Sequence, residues 1–539
     1  MRYNFLYKAV LAIGMIGIVS GCSDFGDTNI DPEHLNDNNM DYKMVFSNAQ
    51  HQASGSDNDV WTNGIIYGGT MMQHVTTLHY TEAFYTYNES YNSGLWRSLY
   101  SGNRASVRDI KIVLEAWKDL PEHQADCQIA RIMKAYIFHR LTDLYGDIPY
   151  TEAAAGIDYP KYDSQKFIYE DLLKELDEAQ NNLKGASSSL GSADFYYNGD
   201  VEKWRKFANS LMLRIAMRMS EVSPEEAQKW VKKAVENGLF EGMEDNAILQ
   251  HTDGDPSNDS SNPYGKIYSE RDAGKFFLSQ FFVEMLKNTN DPRLALIGVV
   301  CESDPTRPYT SGDAYTKGNT DPAKQVGMPS GYDLKGGQWD IENADGFPGK
   351  DRYETYYSTV NRYTFSDPKA PTIVLNYAEN QLLLAEAAWR GWLEGVSNVK
   401  TAEEYYNEGV TAAMKQFSIY QDAKSLYDTY LNDENIQAYL NENPYDETTA
   451  LEQISTQYYI ATFCDEYETF ANWRRTGYPE LKAINVGYPN CVTGGTIPRR
   501  FTYPMSEAQN NSKHYQEALS GLQPAKDEMT SRVWWDVKK

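Results

Sequence analysis

The chain has 539 residues, with 76 acidic against 50 basic side chains and a formal net charge of −26. So acidic a surface excludes a polyanion as natural partner, whether nucleic acid or an anionic bilayer. Beyond residue 22 no apolar run approaches the 18 residues that a spanning helix needs, and 41 tyrosines are more amphipathic rings than a helical core consumes.

In chain order, Arg2 and Lys8 supply a positive n-region, and the uncharged apolar run that follows, Ala9 to Val19, has signal-peptide length and is too short to cross a bilayer. Val19-Ser20-Gly21-Cys22 then forms a lipobox. Residues 1–21 are expected to be cut away as a lipoprotein signal peptide, and Cys22 to be acylated. Two or three acyl chains on one residue give stable anchoring where one would not. Loss of Arg2 and Lys8 moves the charge from −26 to −28. Residues 22–40 are polar and rich in Asp and Asn, and predict a flexible tether.

Residues 41–539 read as one domain. From Asp41 to Val235 the pattern is helical nearly throughout. Ile129, Met133, Tyr136, Leu141 and Leu144 recur at helical spacing until Gly146, with Pro149 beyond. A second helix begins near Asp200 and carries Trp204, Phe207, Leu211 and Ile215. Ser223-Pro224-Glu225-Glu226 predicts a capped helix start, and Gly238 its end. From about 240 to 371 the composition shifts to Gly, Pro, Asp, Asn and aromatics, interrupted by one helix expected around Asp272 to Leu286. A long irregular insert in an ordered protein is usually functional. Helical pattern resumes over Leu375 to Trp392, restarts at the capping box Thr401–Glu404, and later ends in the run Trp473 to Pro479. Helices in pairs with short loops predict an all-α, tetratricopeptide-like helical-hairpin stack with an irregular, loop-rich cap. Trp96, Trp204, Trp389 and Trp473 fall in helical patterns and are expected in its core.

No H-E-x-x-H, P-loop or G-x-G-x-x-G occurs, and Gly327-Met328-Pro329-Ser330-Gly331 misses the nucleophile elbow by one place. Catalysis, a cofactor and a catalytic metal are therefore not expected. Asp253, Asp255, Ser257 and Asp259 alternate as in a calcium loop, but Asn258 and Tyr264 occupy the places of its Gly and Glu, so a polar turn is expected. Cys127, Cys301, Cys464 and Cys491 form no C-x-x-C pair, and are read as separate buried thiols, although a Cys464–Cys491 disulfide stays open.

Two aromatic clusters fit neither helical nor strand spacing. Tyr80, Phe84, Tyr85, Tyr87 and Tyr91 precede the helix of Trp96 and Tyr100. Tyr332, Trp339, Tyr353, Tyr356 and Tyr357 lie in the insert. Rings that cannot all point into a core are candidates for a ligand-facing platform.

Several segments, taken in order, resemble the SusD/RagB family of Bacteroidetes outer-membrane lipoproteins. They are Cys22 with Asp24 and Asp27, the run Arg140 to Tyr150 (RLTDLYGDIPY), Trp204 with Leu213 to Arg218, Tyr377-Ala378-Glu379 with Leu384 to Ala387, Trp473 to Pro479, and Pro498-Arg499-Arg500 with Tyr503-Pro504. The branch looks like the SusD-like group described as starch-binding and outer-membrane-associated. The resemblance implies a four-unit helical-repeat scaffold, a ligand face on the cap, and attachment to the outer membrane, facing the exterior. It also implies a TonB-dependent, SusC-like transporter as partner, and glycans, or in some members peptides, as cargo. Arg214, Glu386 and Arg474 are expected to pair inside the stack.

Overall fold

The computed structural model describes residues 40–101, 105–252, 260–301, 318–484 and 487–538. Cys22, the signal peptide, most of the tether and the calcium-like Asp253–Asp259 stretch lie outside the described residues. The fold below is that of one compact unit, Val45–Lys539. Among the described residues no helix is long and apolar enough to cross a membrane.

Helices α1 (Ser106–Trp117), α2 (Gln124–Tyr145), α3 (Gln165–Asn182), α4 (Val201–Arg218) and α5 (Pro224–Asn237) each pack on the next. After the insert, α7 (Tyr377–Trp389) packs on α8 (Ala402–Lys415) and α9 (Ala450–Ala461), and α9 on α10 (Glu466–Thr476). Packing of sequence neighbours is the signature of a hairpin stack. The apolar positions foreseen on α2 are all buried, and its last turn closes where the Gly146 N–H donates to the Thr142 carbonyl (2.8 Å). Asp200 caps α4 by accepting from the Glu202 and Lys203 N–H groups. Thr401 and Glu404 complete their capping box. The helices α7 and α8 cross closely because α8 presents Gly409 there. A Cβ on Gly409 would lie 2.8 Å from Leu382 Cγ.

The two halves of the stack meet through α4 on α7 and α2 on α10, and buried charges fill that seam. Arg214 donates to both Glu379 oxygens (2.6 and 2.8 Å), and Arg218 to both Glu468 oxygens (2.7 and 2.6 Å) and to Asp143 (3.2 Å). Tyr458 donates to Glu379 and Glu468 (2.7 and 2.8 Å). Burial alone would raise the Glu386 carboxyl, but Arg475 and Arg390 override it and hold it down to about 2.

Several expectations are corrected. Ser223, at φ −147° and ψ 64°, makes no side-chain cap, although Pro224 opens the helix as expected. The insert helix α6 runs Gln280–Asn288, since the apolar triplet Phe276–Leu278 before it is a strand. Leu375 likewise ends a strand, and α7 starts after its cap, Asn376. Glu386 pairs with Arg475 and not with Arg474. The Arg474 guanidinium lies over the Trp535 ring (4.6 Å) and donates to the Arg499 carbonyl (2.9 Å). Trp389 is only half-buried, at the frayed end of α7. All four described cysteines are free thiols, and Cys464 and Cys491 are only partly covered.

The insert is more ordered than its composition implies. Strands β1 (Val75–Thr77) and β3 (Phe276–Leu278) pair antiparallel and tie it to the N-terminal region. Strand β4 (Gly298–Cys301) lies between β5 (Gly318–Asn319) and β6 (Ser358–Val360). At the neck, β2 (Ala247–Leu249) pairs antiparallel with β7 (Thr372–Leu375), so the chain leaves and rejoins the stack through one two-stranded ribbon. Its own core gathers Phe277, Met328, Ile341, Tyr353 and Tyr357.

Candidate functional site

The first aromatic cluster follows β1. A 3-10 turn, Thr81–Phe84, leads to Tyr85, held in the left-handed region (φ 61°). Thr86 then bridges to Cys491, and the Val492 N–H donates to the Tyr85 carbonyl (3.0 Å). This short pairing draws the loop at 488–492 alongside residues 85–88. Phe84 stacks flat on Tyr488, with ring centroids 3.9 Å apart and planes within 7°. The Tyr488 hydroxyl donates to Asp333 (2.9 Å) of the insert, and the Trp339 ring lies 6.0 Å from the Tyr488 ring. Burial, then Asp333, pushes the Tyr488 hydroxyl up to about 12, so it stays a neutral donor.

The loop that carries Trp339 is braced by two carboxylates. Asp333 accepts from the Lys335 N–H (3.0 Å), and Asp340 from the Gly336 N–H (2.8 Å) and the Lys350 ammonium (3.2 Å). Gly336 and Gly337, both at φ 79°, make the reversal between them, a conformation that side-chain-bearing residues rarely adopt.

Three separate segments thereby enclose one open cleft of about 460 Å³. Thr81, Glu82, Thr86, Tyr87 and Asn88 come from the first cluster, Asp333, Lys335, Gly336 and Trp339 from the insert, and Tyr488 to Asn490 from the C-terminal part. Asn88 donates to Glu82 (2.9 Å). The cleft thus combines aromatic faces with hydrogen-bonding groups of both kinds. That mixture suits a ligand with apolar C–H faces and a hydroxyl rim. Among the described residues no three His, Cys, Asp or Glu side chains are grouped to hold a metal ion.

Of the ten rings singled out in the sequence, Tyr87 and Trp339 line the cleft. Phe84 lies beneath it, behind Tyr488. Tyr85 is fully buried, with its hydroxyl accepting from the Ile484 N–H (3.2 Å). Tyr353 and Tyr357 are buried in the insert core, and Tyr332 packs against it. Tyr356 is exposed, edge-on to Tyr357. Tyr80 donates to Asp272 (2.7 Å) and stacks on Phe276, and Tyr91 abuts Trp61; neither lines the cleft. Phe84, Tyr85, Tyr353 and Tyr357 are buried, because the pairing at Thr86 and the closure of the insert turn them inward. Tyr488 was missed. Its setting between Gly487 and Pro489 in a polar stretch is the same kind of signal that marked the insert.

A family model described as starch-binding and associating with the outer membrane, SusD-like, matches residues 36–504. A solved chitin-binding protein is 31% identical over 92% of this chain and 100% of its own, with a TM-score of 0.76. A SusD-like protein from Bacteroidetes is 27% identical, covering 93% of this chain and 100% of its own, with a TM-score of 0.77. A SusD homologue from Bacteroides uniformis is also 27% identical, over 93% and 100%, with a TM-score of 0.69. No curated protein matches the sequence.

Proposed function

Because the chain belongs to the SusD-like family of outer-membrane-associated binding proteins, which are not enzymes, we propose that it captures glycans at the cell surface in the cleft between Tyr87, Trp339 and Tyr488. One observation carries this reading: three segments distant in sequence converge to place these rings and hydrogen-bonding groups around a single cleft. The sugar's C–H faces stack on the rings, while Asn88, Asn490 and Lys335 meet its hydroxyls. A ring is worth about 1 kcal/mol, so affinity lies between micromolar and millimolar. The 31% identical chitin-binding relative makes oligomers of N-acetylglucosamine the first ligands to test, with starch oligomers beside them. Cys22 anchors the protein by its lipid, residues 22–40 hold it off the bilayer, and a TonB-dependent transporter receives the cargo.

Titration calorimetry with chitohexaose and maltohexaose tests the cleft. Wild type binds at least one of them, and Trp339→Ala and Tyr488→Ala each weaken binding roughly fivefold or more. Binding of neither glycan, or unchanged binding in both variants, rejects the site. Metabolic labelling with palmitate, lost in Cys22→Ala, tests the anchor.

A further inference from the structure

On the far side of Tyr87 a second hollow of about 390 Å³ opens. Its walls are Val492, Pro504, Met505, Met529 and the rings of Tyr87 and Tyr503. Tyr87, Val492 and Met505, at 37%, 53% and 53%, are among the large hydrophobic side chains left exposed in the described residues, and all three line this one hollow. Apolar side chains gathered and exposed in one concavity mark a binding surface more often than isolated ones do. Of its two carboxylates, Asp527 pairs with Arg500 and accepts from the hydroxyl of Tyr515, another wall residue, and Glu528 lies 3.7 Å from Lys526 at the exposed rim.

The hollow adjoins the cleft across one ring. Tyr87 lines both. The loop that supplies Tyr488 to Asn490 to the cleft supplies Val492 to the hollow two residues later. Glu89 locks the arrangement. One of its oxygens accepts from the Tyr87 hydroxyl and the other from the Met505 N–H (3.0 Å), so the partition ring and the far wall share one brace. At this size the hollow admits a substituent or a single sugar unit, and its apolar walls favour the former.

We propose that the hollow is an acyl subsite. It rests on the glycan reading of the cleft: a chain held by Trp339 and Tyr488 crosses Tyr87 and seats the acetamido methyl of an N-acetylated sugar against Val492, Met505 and Met529. A buried methyl is worth roughly fourfold in affinity, and the hollow therefore sets a preference for acylated over plain sugar chains.

The test titrates the mature protein with chitohexaose and with cellohexaose, which has the same linkage and a hydroxyl in place of each acetamido group. Wild type prefers chitohexaose. The double variant Val492→Ser/Met505→Gln, at exposed positions, loses roughly fourfold or more on chitohexaose and keeps its cellohexaose affinity, with an unchanged melting temperature. Trp339→Ala weakens both probes. A wild type without preference, a double variant that keeps its preference, or one that weakens both probes equally overturns the acyl subsite and leaves the cleft standing. Unchanged binding of both probes in Trp339→Ala rejects the cleft itself, and the subsite with it.

Discussion

The helical stack and the cap spend the same residue types in opposite ways. In the stack, charges and rings are paired inward: Arg218 with Glu468, Arg475 with Glu386, and the Trp204 indole with Asp194 (2.7 Å), all buried. In the cap, carboxylates bind backbone N–H groups of their own loops, and rings such as Tyr87 are left in contact with water. A charge inside the seam must be matched or it costs several kcal/mol, whereas the cap's braces shape a surface at modest gain. On the proposed function, stability and recognition fall in separate regions and should separate under mutation.

The largest expected effect lies in the seam. Arg475→Ala leaves Glu386 uncompensated by its main partner and costs about 3–5 kcal/mol, read as a fall in melting temperature. Glycan affinity, measured where the variant is still folded, stays at the wild-type level. A variant as stable as wild type breaks the comparison.

Acid probes the same seam next. His139 is fully buried, and its Nε2 lies 3.2 Å from Asp143 without hydrogen-bond geometry. Burial holds its imidazole down to about 4. The unfolded chain takes up that proton near pH 6.5, so stability is full above 6.5 and falls as pH drops towards 4. The loss is about 3 kcal/mol. Glu386 and Glu468, held down to about 2 by their arginines in spite of burial, contribute stability that is full above their ordinary carboxylate range and lost progressively as pH falls from there to about 2. Urea unfolding at pH 7.5, 5.5 and 4.5 measures the first slope, and His139→Gln should flatten it.

Smaller effects belong to the cap. Trp339→Ala removes about 1 kcal/mol of ligand binding without moving the melting temperature, as calorimetry and thermal melts would show. Tyr356→Ala, exposed and away from the cleft, changes both by less than about 0.5 kcal/mol. A binding loss there would move the ligand face across the insert.

What could be read from the sequence divides along the same line. The periodicity of Ile129, Met133 and Leu144, the capping box at Thr401 and the stop at Gly146 are local signals, and the helices follow them. The Arg475–Glu386 pair spans 89 residues and Arg218–Glu468 spans 250, so spacing could not choose between Arg474 and Arg475. The cleft depends on contacts such as the Thr86–Cys491 bridge and the Phe84–Tyr488 stack, which bring together segments about 400 residues apart. Composition marked the aromatic segments, but which ring faces out is decided by closure: Tyr85 turns in and its second neighbour Tyr87 turns out.

The β2–β7 ribbon has an evolutionary corollary. Since the excursion starts and finishes at adjacent points, it behaves as a cassette. Drift or exchange of the intervening segment can reshape the Asp333 to Trp339 wall of the cleft, provided the β1–β3 pairing that ties it to the N-terminal region is kept.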